Sequence, residues 1–298
     1  MHTRTLRLSL PLDLRLTLSP LRHGTRDPSV RLSTNEAHRA VRTPHGPAAM
    51  GLTFLGGAVE ARAWGPGAEW TLATLPDLLG ERDDPRGFRP GHPVLREMHR
   101  SRPGLRLTRS NAVVEALIPT IIGQKVTSQD ARRSYLRLLI TLGEPAPGPL
   151  GLKLPPAPEL LASLPYYELH RFGIERRRAQ ILSHACSYAS RLEETLAMTK
   201  EEATRRLLAL PGVGPWTIGH VTRLAYGDPD AVIVGDFHIP HMATWALAGE
   251  PRGSDERMLE LLEPYRGHRG RALRLIEIGG RHPPSYHIKR PVRSIESI

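Results

Sequence analysis

The feature that most constrains the fold of this chain is residues 207–236, with the sequence LLALPGVGPWTIGHVTRLAYGDPDAVIVGD. The segment Leu210-Pro211-Gly212-Val213-Gly214 predicts a tight turn, because apolar residues recur at helical spacing on both sides of it. Glycine accepts positive φ and lets another molecule approach the backbone closely. Free amides at the start of the second helix would then bind an anion such as phosphate. This segment alone leaves open an ordinary corner between two packed helices.

Composition points to a polyanionic partner. The 298 residues carry a formal net charge of +11, with an isoelectric point near 10.4, as is typical of proteins that bind nucleic acid. Clustered arginines favour a surface that faces phosphate, although a solvated basic surface would have the same composition. These arginines are Arg176, Arg177, Arg178, Arg266, Arg269, Arg271 and Arg274. The length allows a sizeable core divided into two or three subdomains.

Cysteine usage and hydropathy exclude several classes of protein. The single cysteine, Cys186, excludes an intrachain disulfide and a four-cysteine iron–sulfur cluster. It lies in a helical pattern and is expected to be a small buried hydrophobic residue. No run of apolar residues reaches transmembrane length. We therefore expect no membrane association, and a soluble, cytoplasmic protein that is associated with the nucleoid when bound to DNA.

Residues 1–82 are predicted to form an N-terminal α+β domain, a small antiparallel sheet with a helix on one face. Leucines alternate with other residues from Leu6 to Leu18, which is typical of a strand with one buried face. Pro11 would remove one ladder donor and make this segment an edge strand, a bend or two strands. Further strands are predicted at residues 40–43, 50–55 and 58–64, and a helix at 68–79 that ends at Gly80.

From residue 92 to 280 the pattern is helical, so the whole chain is predicted to be mainly α. Asn111 is expected to cap one of the helices. The predicted helices cover residues 93–101, 111–122, 128–142, 157–162, 166–171, 175–191, 200–209, 256–262 and 268–278, besides the second helix of the hairpin. Residues 281–298 are basic and contain Pro283-Pro284, and we expect a disordered tail there.

Several motifs, in order, resemble the helix-hairpin-helix (HhH-GPD) DNA glycosylase superfamily, and within it the 3-methyladenine DNA glycosylase II (AlkA-like) branch. Residues 210–217 read LPGVGPWT against the family's LPGVGxWT, and GDPDA at 227–231 matches the turn that follows. Asp236 lies at the family's interval from Trp216, and IGQKVT at 122–127 is similar to the family's LGQQVS. The resemblance covers roughly residues 80–280. It implies an all-helical core of two subdomains that flank a DNA-binding cleft.

The resemblance implies that Asp236 is the catalytic carboxylate of a glycosylase. A fixed anion beside the sugar stabilises the oxocarbenium-like charge that develops as the N-glycosidic bond breaks. Asp236 would also serve as a helix N-cap, and the two roles are compatible. Trp216 stands where bifunctional relatives carry a lysine nucleophile, and tryptophan cannot form a Schiff base. A monofunctional enzyme is therefore expected, which releases the base and leaves the strand uncut.

The resemblance also implies that Trp216 and His220 line the base pocket. Trp216 would stack an electron-poor alkylated base through cation–π attraction, or else pack in the core. His220 stands where AlkA-like enzymes often have a pocket tyrosine, and the closing helix, RLIEI at residues 274–278, lacks the tryptophan of typical members. Two aromatic walls are therefore missing, so the sequence specifies the reaction more firmly than it specifies the substrate.

DNA contacts are expected from the hairpin and from the segment before it. Lys125 has the position of the wedge that fills the gap behind a flipped-out nucleotide, and Gln124 would bond to the opposite strand, unless both form a solvated helix end. By resemblance, hairpin amides bind a phosphate and hairpin carbonyls hold a monovalent cation, Na⁺ or K⁺. The expected hairpin contacts are Gly212, Val213, Gly214, Trp216 and Thr217, and the expected carbonyls are those of Leu208, Leu210 and Val213. No other cofactor is expected.

The leading hypothesis is a monomeric, monofunctional base-excision-repair glycosylase that acts on double-stranded DNA and hydrolyses alkylated purines of the 3-methyladenine type. Two alternatives stay open. One is a helix-hairpin-helix DNA-binding protein without catalysis, and the other is a glycosylase for a bulky or oxidised base. Asp236 favours catalysis, since a carboxylate that faces DNA otherwise only weakens phosphate affinity.

Overall fold

The first part of the chain forms an antiparallel sheet, as the computed structural model shows. The structure describes residues 1–280 and 282–284, so most of the tail predicted at residues 281–298 lies outside the described residues. Strand order is β1-β5-β4-β3-β2, and every neighbouring pair is antiparallel. The strands are β1 (His2–Arg7), β2 (Val30–Leu32), β3 (Glu36–Thr43), β4 (Gly46–Leu55) and β5 (Ala58–Trp64).

The alternating leucines continue as a strand only as far as Arg7. The second half of that segment, Leu14–Leu18, is helix α1, so the prediction of a strand there is wrong. Asp13 explains the change, because its carboxylate accepts the Leu16 amide at 2.8 Å and caps the helix. Leu14 and Leu18 are both buried, since leucines four residues apart share a helix face as readily as a strand face.

The helix predicted at residues 68–79 is two short helices, α2 (Ala68–Ala73) and α3 (Leu75–Leu78). Pro76 accounts for the break, because it has no N–H to continue the ladder. Gly80, with φ of +66°, ends the second helix as predicted. Together with α1, these helices cover one sheet face around a core that includes Met50, Leu52 and Val59.

The rest of the described chain is helical and carries the site. Its helices are α4 (Pro93–Arg100), α5 (Val113–Ile122), α6 (Ser128–Leu142), α7 (Pro158–Ser163), α8 (Arg176–Ser187), α9 (Ala189–Glu193), α10 (Lys200–Leu208), α11 (Pro215–Ala225), α12 (Ile239–Ala248), α13 (Asp255–Leu262) and α14 (Arg269–Gly279). Short 3-10 turns lie at Ser19–Leu21, Pro85–Gly87, Tyr166–Phe172, Glu194–Ala197 and Glu263–Tyr265. The mainly α fold with an N-terminal α+β part is therefore confirmed.

Asn111 does not cap α5. Its φ is +51°, and its side-chain amide donates to Asp77 at 2.8 Å, so the predicted cap is wrong. The carboxylate of Glu193 accepts the free amides of Val113 and Val114 instead, at 2.9 and 2.8 Å. A capping partner 80 residues away along the chain has no local sequence signal.

Helix α11 lies between two hydrophobic clusters, and this position creates the site. Its residues Ile218, Val221 and Ala225 belong to the cluster built from α5, α6, α8 and α10. Trp216, at its start, packs against the other cluster, which α4 and α12–α14 form. Side chains on one face of α11 therefore face α12 and α14.

The GDPDA turn fixes α14 relative to α11. The carboxylate of Asp230 accepts the amides of Gly267 and Arg269 at 2.8 and 3.0 Å and pairs with the Arg269 guanidinium at 2.5 Å. A side chain at Gly270 would come within 2.7 Å of the Ala231 carbonyl oxygen, so only glycine allows this approach. The turn is therefore a structural joint beside the site.

Within residues 1–280 and 282–284, the helices are too short or too polar to cross a lipid bilayer.

Candidate active site

Asp236 lies just before α12 with its carboxylate fully engaged. One oxygen, Oδ1, accepts the backbone amides of His238 and Ile239 at 2.8 and 2.9 Å, and Oδ2 accepts the indole N–H of Trp216 at 2.9 Å. Burial by itself would raise the pKa of this carboxyl, but the bonds from Trp216 and the two amides outweigh it and lower the pKa. The site therefore holds a fixed anion at neutral pH.

Trp216 orients this anion. Its half-buried ring lies between α11 and the second cluster, and its only polar atom points at Asp236. A buried indole N–H needs a partner, and this bond ties the start of α11 to the start of α12. The structure thus brings together the residue predicted as the catalytic carboxylate and one of the residues predicted to line the base pocket.

His220 lies one helical turn beyond Trp216. The two rings meet edge to face with centroids 4.5 Å apart. Burial, with a smaller contribution from Arg223, lowers the pKa of His220 to about 4, so the imidazole is neutral at physiological pH. Its Nε2 is buried and has no hydrogen-bond partner among the described residues.

Three further charged residues, which sequence reasoning missed as site residues, continue this face. Arg223, on α11, forms a bidentate ion pair with Glu277 of α14. The Nη1 atom of Arg274, also on α14, lies 3.5 Å from Oε2 of the same carboxylate. Burial lowers the pKa of Arg274 to about 10, which leaves it charged at neutral pH. The available signal was the spacing of residues 216, 220 and 223, which share one helix face.

The hairpin turn needs glycine at one position and open space at the other. Gly212 has φ of +82°, and a Cβ there would lie 2.3 Å from the Cδ1 of Ile181. Gly214 is extended, with φ of −126°, and nothing lies within 4 Å of the place of a Cβ. Pro215 begins α11, where its missing N–H is no loss. The backbone at Gly214 is therefore open to an approaching group.

Gln124 and Lys125 lie beside this hairpin with different surroundings. The Gln124 amide donates to the carbonyl of Gly212 at 2.9 Å and to the Thr217 hydroxyl at 3.0 Å. Lys125 is exposed and has φ of +58°, a left-handed conformation that a side chain rarely adopts. Gln124 thus holds the hairpin, and its expected contact with the opposite strand stays a prediction, as does the wedge role of Lys125.

Phe237 was not singled out from the sequence, and it lies directly after Asp236. It is 66% exposed, and its ring contacts His238 and His241 at centroid distances of 4.9 and 5.7 Å. An apolar ring in water next to the fixed carboxylate adds a stacking surface at the edge of the site.

The clustered arginines are mostly internal, so the prediction that they face phosphate is wrong for most of them. Arg178 and Arg271 are buried. Arg178 donates hydrogen bonds to the carbonyls of Ile122 and Gly173, and Arg271 forms an ion pair with Asp83. Arg269 and Arg274 are held by Asp230 and Ser19.

The carbonyls expected to hold a monovalent cation lie at the hairpin. The Leu210 carbonyl accepts the Val213 amide at 3.0 Å, which leaves its second lone pair available to an ion. Leu208 is 45% exposed, at the end of α10. Among residues 1–280 and 282–284, no group of three or more His, Cys, Asp or Glu side chains could hold a metal ion.

Comparison with known proteins gives one sequence relationship and a wider fold relationship. No protein-family model matches the sequence. The chain is 28% identical over 172 residues to DNA-3-methyladenine glycosylase 2 of Escherichia coli strain K12, a match that covers 56% of this chain and 59% of that protein. The chain spans less than two thirds of the length of the curated relatives it matches.

Two solved structures share the fold over almost the whole chain. The 3-methyladenine DNA glycosylase from Archaeoglobus fulgidus superposes with a TM-score of 0.79 at 19% identity, over 92% of this chain and 97% of that one. The 8-oxoguanine glycosylase/lyase of Clostridium acetobutylicum, solved with double-stranded DNA containing cytosine opposite 8-oxoguanine, gives 0.67 at 15% identity, over 90% and 91%. The comparisons thus confirm the resemblance to the helix-hairpin-helix DNA glycosylase superfamily in fold, and to its 3-methyladenine DNA glycosylase II (AlkA-like) branch in sequence.

Proposed function

We propose that this chain is a monofunctional DNA glycosylase of base excision repair, which hydrolyses the N-glycosidic bond of alkylated purines in double-stranded DNA. The observation that carries the proposal is the Asp236 carboxylate, ionised and held by three donors beside Trp216 and the hairpin. The sequence relative named DNA-3-methyladenine glycosylase 2 supports the substrate class. The protein would act as a monomer in the cytoplasm, where the DNA is.

Asp236 would act by charge more than by proton transfer. Once the damaged nucleotide is rotated out of the duplex, the bond from C1′ to the base nitrogen breaks and its electron pair leaves with the base. Positive charge develops on the sugar, and a carboxylate about 4 Å away stabilises it by roughly 4 kcal/mol at an effective dielectric constant of 20. A lowered pKa makes Asp236 a weak base. Water adds to C1′ and loses its proton to solvent, which leaves an abasic site.

Trp216 supports a hydrolytic rather than a lyase reaction. The indole has no amine to attack C1′, so no Schiff base forms at this position and no strand cleavage follows. The product would be a free base and an intact strand with one abasic site.

The hairpin would hold the DNA backbone while this happens. The amides of Gly212, Gly214 and Trp216 would contact a phosphate, while Thr217 is buried, and a bound Na⁺ or K⁺ would add positive charge there. The carbonyls of Leu208 and Leu210, with that of Val213, would hold the ion. Lys125, exposed on its left-handed turn, would enter the space behind the flipped nucleotide.

The test is single-turnover base release from a randomly methylated duplex by the wild type and by Asp236→Asn. We expect release by the wild type and a loss of about a thousandfold in the variant, because roughly 4 kcal/mol of charge stabilisation disappears. Binding to a duplex with an abasic-site analogue should persist in both proteins and serves as the control for folding.

Equal rates in the two proteins would overturn the role of Asp236. Binding by both without release of any base from a panel of lesions would instead favour the non-catalytic helix-hairpin-helix protein. A strand break accompanying base release would contradict the monofunctional mechanism.

A second candidate substrate class is an oxidised or otherwise neutral base. The charged residues behind Trp216, namely Arg223, Arg274 and Glu277, favour a neutral base. Purely aromatic walls would instead favour a cationic base.

A further inference from the structure

The face of α11 that begins with Trp216 ends in polar groups. Trp216, His220 and Arg223 follow one another at helical spacing, and the last is paired with Glu277 across the gap to α14. Asp236 lies at one end of this row, bonded to Trp216. The row therefore runs along α11 from Asp236, the proposed catalytic carboxylate, to the Arg223–Glu277 pair, and in the proposed complex it would form a wall against which the base lies.

The charges at the far end of this wall are unfavourable to a cation. Arg223 and Arg274 share the single carboxylate of Glu277, so these three side chains together carry one net positive charge. They are held in place, because Arg274 also donates to the Ser19 hydroxyl at 2.6 Å. An alkylated purine with a fixed positive charge would meet like charge here, where an aromatic wall would have attracted it.

The neutral imidazole of His220 has unused hydrogen-bonding capacity. Its Nε2 is buried and unpartnered among the described residues, although buried polar atoms are normally satisfied. A neutral imidazole carries one donor and one acceptor. A purine edge placed against Trp216 and His220 would supply the missing partner.

We propose that His220, with the Arg223–Glu277 pair behind it, selects neutral purine lesions that present a hydrogen-bonding edge, in preference to cationic alkylated purines. The inference rests on the proposed glycosylase function and narrows its substrates. The ligand class is a damaged purine without fixed charge and with a carbonyl or ring-nitrogen acceptor, whether it arises by alkylation, oxidation or deamination.

The chemistry of the leaving group agrees with this assignment. A cationic alkylpurine departs as a neutral base and needs no help from the protein. A neutral purine departs with an extra electron pair on its ring nitrogen, and it is an anion until it takes a proton from water. Hydrogen-bond donors and guanidinium groups next to the departing base stabilise that anion. The polar wall therefore assists only the reaction of the neutral substrate.

The experiment compares single-turnover release of hypoxanthine and of 7-methylguanine from duplexes that are otherwise identical. Each rate is divided by the rate of spontaneous loss of the same base, since the cationic base is intrinsically more labile. We expect this rate enhancement to be at least tenfold larger for hypoxanthine in the wild-type protein. His220→Phe, which restores an aromatic wall, should reduce the ratio of the two enhancements by at least tenfold.

Three further variants separate recognition from folding. His220→Gln keeps a donor and an acceptor and should retain most of the ratio. His184→Phe is the matched control, because His184 also meets an aromatic ring edge to face, that of Tyr188 at 5.1 Å on α8, and should leave the ratio unchanged. Replacing Arg223, Arg274 and Glu277 together by leucine leaves no unpaired buried charge among these three residues and should lower hypoxanthine release alone.

A larger enhancement for 7-methylguanine in the wild type would overturn the inference and leave the proposed function intact. So would a ratio that His220→Phe does not change. Release of neither base, with binding to abasic-site DNA preserved, would overturn the proposed function and the inference with it.

Discussion

At the scale of single residues, the site depends on a few polar atoms whose partners are fixed. The Asp236 carboxylate accepts backbone amides at the start of α12 and also the Trp216 indole N–H, so the group that we propose as the catalytic carboxylate has a structural role as well. The same bonds that hold the carboxylate still also keep it ionised. Pre-organisation and charge therefore have a common origin.

His220 should titrate far below an ordinary histidine. Burial and Arg223 lower its pKa to about 4, against the opposing effects of Asp236 and Glu277. Between pH 4 and 6.5 the unfolded state would bind more protons than the folded state at this residue, so the free energy of unfolding should rise with pH in that window, by up to about 3 kcal/mol. NMR titration of the imidazole, assigned by comparison with His220→Gln, measures this directly.

The His220→Gln protein should show a flatter dependence of unfolding free energy on pH over the same range. A His220 midpoint near 6.5 would contradict the expectation. It would mean that water reaches the imidazole and already satisfies the hydrogen-bonding capacity of Nε2.

At the scale of elements, one side chain joins the two segments expected to contact DNA. Gln124, at the end of α5, holds the Gly212 carbonyl of the hairpin and the Thr217 hydroxyl of α11, while its neighbour Lys125 projects from a left-handed turn. The position of the lysine is thereby tied to the position of the hairpin amides that we propose bind a phosphate. In the proposed complex, this coupling would let the protein bind the backbone and fill the duplex with one fixed geometry.

Removing this connection should weaken DNA binding more than it weakens the fold. Gln124→Ala loses two hydrogen bonds of about 0.5 kcal/mol each, since one is exposed and the other only partly buried. We expect about tenfold weaker binding to abasic-site DNA with a loss of about 1 kcal/mol in unfolding free energy. The measurements are fluorescence anisotropy and denaturant unfolding. Gln129→Ala, an exposed glutamine in the first turn of α6, is the matched control.

Identical DNA affinities for these two variants would show that the hairpin holds its geometry without Gln124. A large loss of stability in Gln124→Ala alone would show that the bond is structural and has no particular role in binding.

The elements also show what a sequence can and cannot specify. The hairpin turn was predictable because its signals, glycine and proline, are local, whereas Trp216 and Asp236 were singled out by the resemblance to a family that keeps the interval between them. The pair of Arg223 with Glu277 was not predictable, since its partners are 54 residues apart and meet only when α14 packs beside α11. The helix at Leu14–Leu18 was misassigned because leucines four residues apart lie on one face of a helix as well as on one face of a strand, and the Asp13 cap decides between them.

At the scale of the whole molecule, net charge describes DNA affinity poorly. The chain carries a formal net charge of +11. Several arginines of α8 and α14, among them Arg178, Arg269 and Arg271, nevertheless donate to carbonyls and carboxylates within the protein. Fewer cations than the composition suggests remain to contact phosphate. Exposed residues next to the hairpin, above all Lys125, should therefore account for a measurable share of the interaction.

The dependence of binding on salt tests this distribution. Each cation that neutralises a phosphate contributes close to one unit to the slope of log K against log salt concentration. Lys125→Ala should reduce the magnitude of that slope by about 1, whereas Arg62→Ala, which removes an exposed charge from β5 in the sheet, should leave it unchanged. The measurement is a salt titration of binding to undamaged duplex DNA, so that base recognition does not contribute. Equal changes in the two variants would mean that the protein attracts DNA through its overall charge, and that Lys125 makes no specific contact with a phosphate group.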